Sequence, residues 1–534
     1  MSEVSLSEVS LPNLLGDRLA HWSQVKPDAQ AIVYLDGAGL DRRFSWAQFD
    51  ERVRRLATAL SQRGIGRGDV VAFLDKNHPG CLETTFAVAR LGAAVAIINF
   101  RLAGDEMDFV LNDCGATLLI VGADLMDSVI AIRDRLAHVE HVIAVTPEGG
   151  VDDDYEQMLA ASAPTEAAVD SRITPADVCI IMYSSGTTGN PKGILLSQAN
   201  LLAHTLYARS FEFADDDRNM VSMPLFHVGG TSYIQFGIHA GVPSVLTRDA
   251  DTASLEAAMR DGCTRTFLVP AVIARVLEMG PQAVALFGRL RTFVYGAAPM
   301  PPALLARALQ AFPNTDFIQV YGLTEVCGVV TRLSPEAHRD SVRPHRFVSA
   351  GQPVPNVEVR VVCTETGAEL SVGEAGELCF RTPQLMVGYH KKLEATSEAI
   401  TPDGWFHSGD IGRIDHDGFV FVEDRLKDMI ISGGENIYSV EVERVLTDHP
   451  AILDAAVFGV PDDTWGESVK AVVELGSGAQ STPAELVAWC GEKLAAYKCP
   501  RSIDIVETLP RNPTGKLLKR ELRKPYWENR DRTI

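Results

Sequence analysis

From Phe44 to about Ala350, short apolar runs rich in β-branched and aromatic residues alternate with segments of helical period: VVAFL from Val70, TLLIV from Thr117, VCIIMY from Val178, RTFLV from Arg265, TFVYG from Thr292 and FIQVYG from Phe317. A run that is apolar throughout has both faces buried, and a parallel neighbour needs a crossover long enough to hold a helix. The alternation therefore predicts an α/β fold of parallel sheets covered by helices. Between about Gly351 and Asp424 the texture changes to VEVRVV, GELCF, GRID and GFVFV spaced by glycine turns, which predicts a small β-barrel or sandwich subdomain. After Arg425 come a strand, the pair Gly433-Gly434, a helix from about Ser439, strands near Ala455 and Ala471, a helix from Pro483 and a lysine-rich end, the pattern of a separate small α+β domain. With 534 residues the chain exceeds what one core organises, and the expected division is 1–424, with its β-rich part at 351–424, and 425–534.

A formal net charge of -21 repels nucleic acid and anionic membrane at long range, so any anionic ligand must be held by local donors and cations. The nine cysteines are scattered singly with no CxxC pair, which fits a reducing compartment. SEVSL occurs twice in the first eleven residues, but no basic n-region with an apolar stretch follows, and the apolar run Phe86 to Ile98 is broken by Arg90. The expectation is a soluble cytoplasmic protein with no transmembrane segment.

Five motifs carry chemistry. Tyr183 to Gly193, YSSGTTGNPKG, follows the strand VCIIM and packs three glycines and the hydroxyls of Ser184, Ser185, Thr187 and Thr188 around Gly186 and Lys192. Backbone N–H groups, hydroxyls and one ammonium converging in this way suit phosphate oxygens. The glycine spacing, and Gly193 after the lysine, exclude the P-loop NTPase pattern. YGLTE, Tyr321 to Glu325, ends the strand FIQV, and strand ends are where open α/β sheets bind ligands. The competing reading there is a capped helix start at Thr324. GWFHSGD, Gly404 to Asp410, offers in Asp410 a carboxylate suited to vicinal hydroxyls. Glu423 to Glu443 carries Arg425, Lys427, Gly433 and Gly434, and PRNPTGK, Pro510 to Lys516, is a Pro/Gly loop presenting one lysine. GAAP, Gly296 to Pro299, and PLFHVGG around His227 accompany them.

In these motifs, over about Phe44 to Arg523, the sequence resembles the adenylate-forming superfamily of acyl-CoA synthetases, luciferases and peptide-synthetase adenylation domains, and most closely the fatty-acyl and aryl-CoA ligases. The resemblance implies two parallel-type helix-covered sheets and a C-terminal domain that rotates near Lys427. It implies ATP, Mg²⁺ and coenzyme A as cofactors and cosubstrates. The roles it implies are adenine packing for Tyr321, with Gly296, Ala297, Ala298 and Gly322 lining the nucleotide and acyl pockets; a bond from Thr324 to the α-phosphate; Mg²⁺ on Glu325; ribose on Asp410 and Arg425; pantetheine beside Gly433 and Gly434; and Lys516 bridging the substrate carboxylate and the α-phosphate. His227, with Gly229, Gly230, Tyr233 and Ala298, falls at the acyl pocket. Ser408 stands where the family usually has threonine, which keeps the hydroxyl.

The implied reaction is two-step: a carboxylate and ATP give acyl-adenylate and diphosphate, and the acyl group then passes to the coenzyme A thiol. The partners are small molecules, with a homodimer and acetylation of Lys516 as further expectations. A stand-alone adenylating enzyme serving a carrier protein, a luciferase and a silent nucleotide-binding paralogue are the alternatives; against the amino-acid-activating kind, Leu225 to Gly241 has no Asp or Glu to face an ammonium. No tryptophan lies in 220–330, which leaves medium to long aliphatic, aryl and polycyclic acids open.

Overall fold

The structure is a computed structural model that describes residues 14–39, 41–102, 104–146, 154–165, 170–184, 191–206, 211–298, 300–426, 428–432, 435–462, 465–511 and 517–528. Two large sheets organise the N-terminal part. In the nine-stranded sheet the parallel strands lie in the order Asp316–Tyr321, Thr292–Gly296, Arg265–Leu268, Asn219–Val221, Ser244–Thr247 and Gln30–Leu35. Antiparallel strands close it, Arg42–Ser45 on one edge and Thr331–Leu333 with Gln352–Pro353 on the other. The seven-stranded sheet runs parallel through His141–Val145, Leu118–Gly122, Val70–Leu74, Ala94–Ile98 and Val178–Ser184, then turns antiparallel at Lys192–Ser197 and Gly388–Tyr389.

The central strands are buried along their length, as Ala94–Ile98 and Leu118–Gly122 are at every residue, which is why they read as unbroken apolar runs. The covering helices read differently. Trp46–Gln62 is capped by Ser45 and Gln48 in a reciprocal capping box, and it buries Trp46, Phe49, Val53, Leu56 and Leu60 at helical spacing. The first sheet also uses Gln30–Leu35, before the point where the alternation was read, because its partner Ser244–Thr247 is supplied from far along the chain.

The β-rich segment is a correction to the expected barrel. Its strands Glu358–Val362, Gly376–Arg381, Phe406–Ile414 and Val420–Arg425 form an open antiparallel sheet in sequence order. Four short strands cannot curl far enough for their edges to meet, and Val420 bridges instead to Gly351 beside the nine-stranded sheet. The last strand continues through Arg425, one residue past the expected boundary.

The C-terminal part has its own core of Ile430, Val442, Leu446, Val457, Val473 and Leu486, under the helices Ser439–Thr447 and Pro483–Gly491 and the strands Ile452–Asp462, Gly466–Leu475 and Ser502–Val506. Asp424, at the junction, accepts from the backbone N–H and the hydroxyl of Ser439. Lys519 pairs with Glu443 at 2.7 Å, and Arg523 with Asp428 at 3.0 Å. All nine cysteines are free thiols. Among the described residues no helix is long and apolar enough to cross a membrane.

Candidate active site

Three loops leave the C-terminal ends of parallel strands of the nine-stranded sheet, where such sheets leave a crevice for ligands. They follow Tyr321, Gly296 and Val221. The backbone past Tyr321 turns at once into the short 3₁₀ segment Thr324–Val326, with Leu323 rather than Thr324 at its cap. Gly322 is required there: a Cβ would stand 1.6 Å from the Gly328 carbonyl oxygen. Ala297, after Gly296, is held at φ 63, a left-handed conformation uncommon for a side chain that cannot bond its own backbone.

The open sheet brings a second wall to Tyr321. Asp410 and Arg425 are cross-strand partners, and Arg425 Nε lies 2.6 Å from Asp410 Oδ1. The Tyr321 hydroxyl donates to Asp410 Oδ2 at 2.5 Å. Asp410 is almost fully buried, while about a third of the Arg425 side chain is exposed. Burial, then the adjacent Asp410 carboxylate, lift the Tyr321 phenol well above its ordinary range. Arg425 is raised in spite of burial, by Asp410 first and then Tyr321 and Glu325. Each carboxylate oxygen keeps a further lone pair, so the pair of bonds orients Asp410 without exhausting it as an acceptor.

Glu325 sits beside this group. Its Oε1 accepts the Tyr389 hydroxyl at 3.0 Å, its carbonyl accepts Met386 N–H at 2.7 Å, and the Lys192 ammonium stands 4.9 Å from the Tyr389 ring centre. Burial pushes the Glu325 carboxyl up, and the Tyr389 hydroxyl and Arg425 pull it partly back. A carboxylate enclosed in this way fits a hard divalent cation, whose charge reverses the cost of desolvation. Lys192 opens a strand antiparallel to Val178–Ser184, with Ser184 opposite Lys192, so the glycine-rich motif is flanked by paired strands and not by a strand and a helix. Tyr183 anchors its base, donating to Asp113 Oδ2 at 2.7 Å.

His227 caps the helix Val228–Ala240, its Nδ1 accepting Gly229 N–H at 3.0 Å, so a neutral ring carries its proton on Nε2. Tyr233 is buried with its ring 5.7 Å from that of Phe267. Gly230 faces the chain itself: a Cβ there would lie 2.3 Å from the Pro224 carbonyl oxygen, so its smallness serves packing rather than room for an acyl group.

A family model described as AMP-binding enzyme matches residues 19–390, and one described as AMP-binding enzyme C-terminal domain matches 441–516. The chain belongs to the AMP-binding enzyme family. Similar members include a feruloyl-CoA synthase of Amycolatopsis sp, 36% identical over 516 residues that cover 96% of this chain and 99% of the relative. A fatty acid–[acyl-carrier-protein] ligase of Streptomyces coeruleorubidus is 34% identical over 502 residues, 92% of this chain and 93% of the relative. A solved fatty acyl CoA synthetase of Mycobacterium tuberculosis superposes with a TM-score of 0.75 at 33% identity, covering 96% of this chain and 98% of that one. The chain is thus an AMP-forming enzyme of the acyl-CoA synthetase type.

In this AMP-binding enzyme the structure brings together Tyr321, Gly322, Thr324, Glu325, Asp410, Arg425 and Lys192. Gly296 ends the neighbouring strand and Ala297 and Ala298 follow it, while His227 caps the helix beyond, which carries Gly229 and Tyr233. Ser185, Gly186, Thr187, Thr188, Lys427, Gly433, Gly434 and Lys516 lie outside the described residues, as does the side chain of Ser184. Sequence reasoning missed Tyr389, whose pairing with Glu325 spans 64 positions, and Glu377, whose Oε1 accepts Gly409 N–H at 2.9 Å where the strand bulges to present Asp410. The GY and GE dipeptides were the only local signals for either.

Proposed function

We propose that the enzyme is an ATP-dependent carboxylate–CoA ligase that activates a medium- or long-chain fatty acid, or an aryl or polycyclic carboxylate. The observation that carries the reading is the convergence of Tyr321, Asp410 and Arg425 with Glu325 and Lys192, contributed by three different sheets, at the strand end that Tyr321 closes. In the first half-reaction a carboxylate oxygen attacks the α-phosphorus of ATP and the bond to diphosphate breaks. Asp410, set by Arg425, holds the ribose hydroxyls, Tyr321 packs on adenine, and Thr324, Lys192 and Lys516 neutralise charge that grows in the transition state. Mg²⁺ at Glu325 supplies further neutralisation of the polyphosphate when bound. In the second half-reaction the C-terminal domain turns near Lys427, Lys516 leaves, and the coenzyme A thiolate attacks the acyl carbonyl and expels AMP, its pantetheine arm beside Gly433 and Gly434. His227 serves the acyl side. The reaction runs in the cytoplasm.

A second reading exchanges only the acceptor: the relative that loads an acyl carrier protein makes a carrier phosphopantetheine the alternative thiol. A panel of carboxylates assayed for AMP release, with coenzyme A or holo carrier protein as acceptor, tests both. AMP release that needs coenzyme A supports the ligase, release that needs only the carrier supports the alternative, and no diphosphate release with any carboxylate overturns both.

A further inference from the structure

Within the open four-stranded sheet, on strands that also form the wall behind Asp410, three side chains of different chemistry meet. Cys379 and His407 are cross-strand partners, and Glu377 lies two residues before Cys379 on the same strand. His407 Nδ1 stands 2.8 Å from Glu377 Oε2 and 3.5 Å from Cys379 Sγ, and the three potential ligand atoms all lie within 4.8 Å of one another. Cys379 is fully buried beside Val362 and Trp405, Glu377 is nearly so, and the His407 side chain keeps 29% exposure, so the cluster has one solvent side.

Bonds of about 2.0–2.3 Å to nitrogen, oxygen and sulfur around a tetrahedral ion put its ligand atoms roughly 3.3–3.7 Å apart. The Sγ to Nδ1 spacing already has that value, and the Oε2 to Nδ1 spacing reaches it by opening about half an ångström. Glu377 is also oriented from behind, since its other oxygen accepts Gly409 N–H at 2.9 Å, the kind of support that metal-binding carboxylates have. Carboxylate and thiolate together cancel two positive charges, so a filled site adds no net charge to a buried place.

We propose that Glu377, Cys379 and His407 form a binding site for a thiophilic divalent cation of the Zn²⁺ class, with a water from the His407 side as fourth ligand. On binding, the cation takes the place of the thiol proton, which leaves to solvent, and the proton that His407 Nδ1 donates to Glu377 is exchanged through solvent for one on Nε2, which frees Nδ1 as a ligand; nothing is oxidised or reduced. The ionic radius and ligand softness that suit Glu325 to Mg²⁺ do not suit this cluster, so the two sites select different ions.

Full-length protein stripped with chelator and titrated with Co²⁺ alone tests the assignment. The expected result is a thiolate-to-cobalt charge-transfer absorption that saturates at one equivalent and is displaced by Zn²⁺. Cys379→Ser abolishes the band, and His407→Gln, at a partly exposed position that folding tolerates, weakens Co²⁺ affinity at least about tenfold. Cys363→Ser and Cys499→Ser, at the two thiols that are not fully buried, leave the band unchanged. Absence of the band in the parent protein, its loss with Cys363→Ser or Cys499→Ser, or undiminished affinity in His407→Gln overturns the proposal.

Discussion

Arg425 Nε lies 2.6 Å from Asp410 Oδ1, and the two residues face each other across antiparallel strands that also carry the chain toward its C-terminal domain. The guanidinium that orients this carboxylate therefore stands at the last residue of the strand Val420–Arg425, where the proposed hinge begins. With Tyr321 on the other oxygen, Asp410 is held in position from both sides.

Removing that carboxylate strands Arg425. Hydrogen bonds to a charged group contribute about 1.5–3 kcal/mol, so Asp410→Ala should raise the KM for ATP by roughly 10- to 100-fold, and Tyr321→Phe by about tenfold. ATP–diphosphate exchange measures both. An unchanged KM in Asp410→Ala would remove this residue from the nucleotide site.

Glu325 must be ionised to hold a cation, and burial raises its pKa while the Tyr389 hydroxyl lowers it. Activity should therefore fall on the acid side at a pH above the ordinary glutamate range. Tyr389→Phe removes a lowering influence, so its acid limb should move to higher pH. The pH dependence of kcat/KM for ATP decides the matter, and a shift toward lower pH contradicts the pairing.

Lys516 is assigned to the first half-reaction alone. Lys516→Ala should lose adenylate formation by about 10²-fold or more while keeping most of the thiolysis of supplied acyl-adenylate. Equal loss in both half-reactions would be incompatible with that role. Acetylation of the same amine removes its charge, so a stoichiometrically acetylated sample should behave like Lys516→Ala, and full activity there rules out such regulation.

Two buried histidines predict acid lability. Burial lowers both His204 and His338 to about 4 from an unperturbed 6.5. A depressed pKa means that the unfolded chain binds the proton first, so stability is intact above pH 6.5 and declines as pH falls toward 4. The loss amounts to about 3 kcal/mol per group. Denaturant midpoints across that window should drop steeply, and His338→Asn should flatten part of the slope; a flat profile in the parent protein would refute the burial argument.

The parallel sheets were legible because a strand buried on both faces writes an unbroken apolar run into a few adjacent residues, as VVAFL and TLLIV do. Gln30–Leu35 was passed over because its place depends on a partner more than two hundred positions away. The motifs of the candidate site were legible for a similar reason. Tyr321 with Glu325, and Asp410 within GWFHSGD, are short segments whose turn chemistry and ligand groups are contiguous.

By itself, then, the sequence determined the layered α/β class, the family and most of the side chains that gather around Tyr321, since periodicity, glycine placement and motif chemistry are local properties of the chain. Only the tertiary structure decided that four strands stay open instead of closing, that Tyr389 serves Glu325, and that Glu377, Cys379 and His407 share one corner. Those outcomes depend on strand register and on contacts between distant segments, and a shift of one residue in register sends every side chain of a strand to the opposite face.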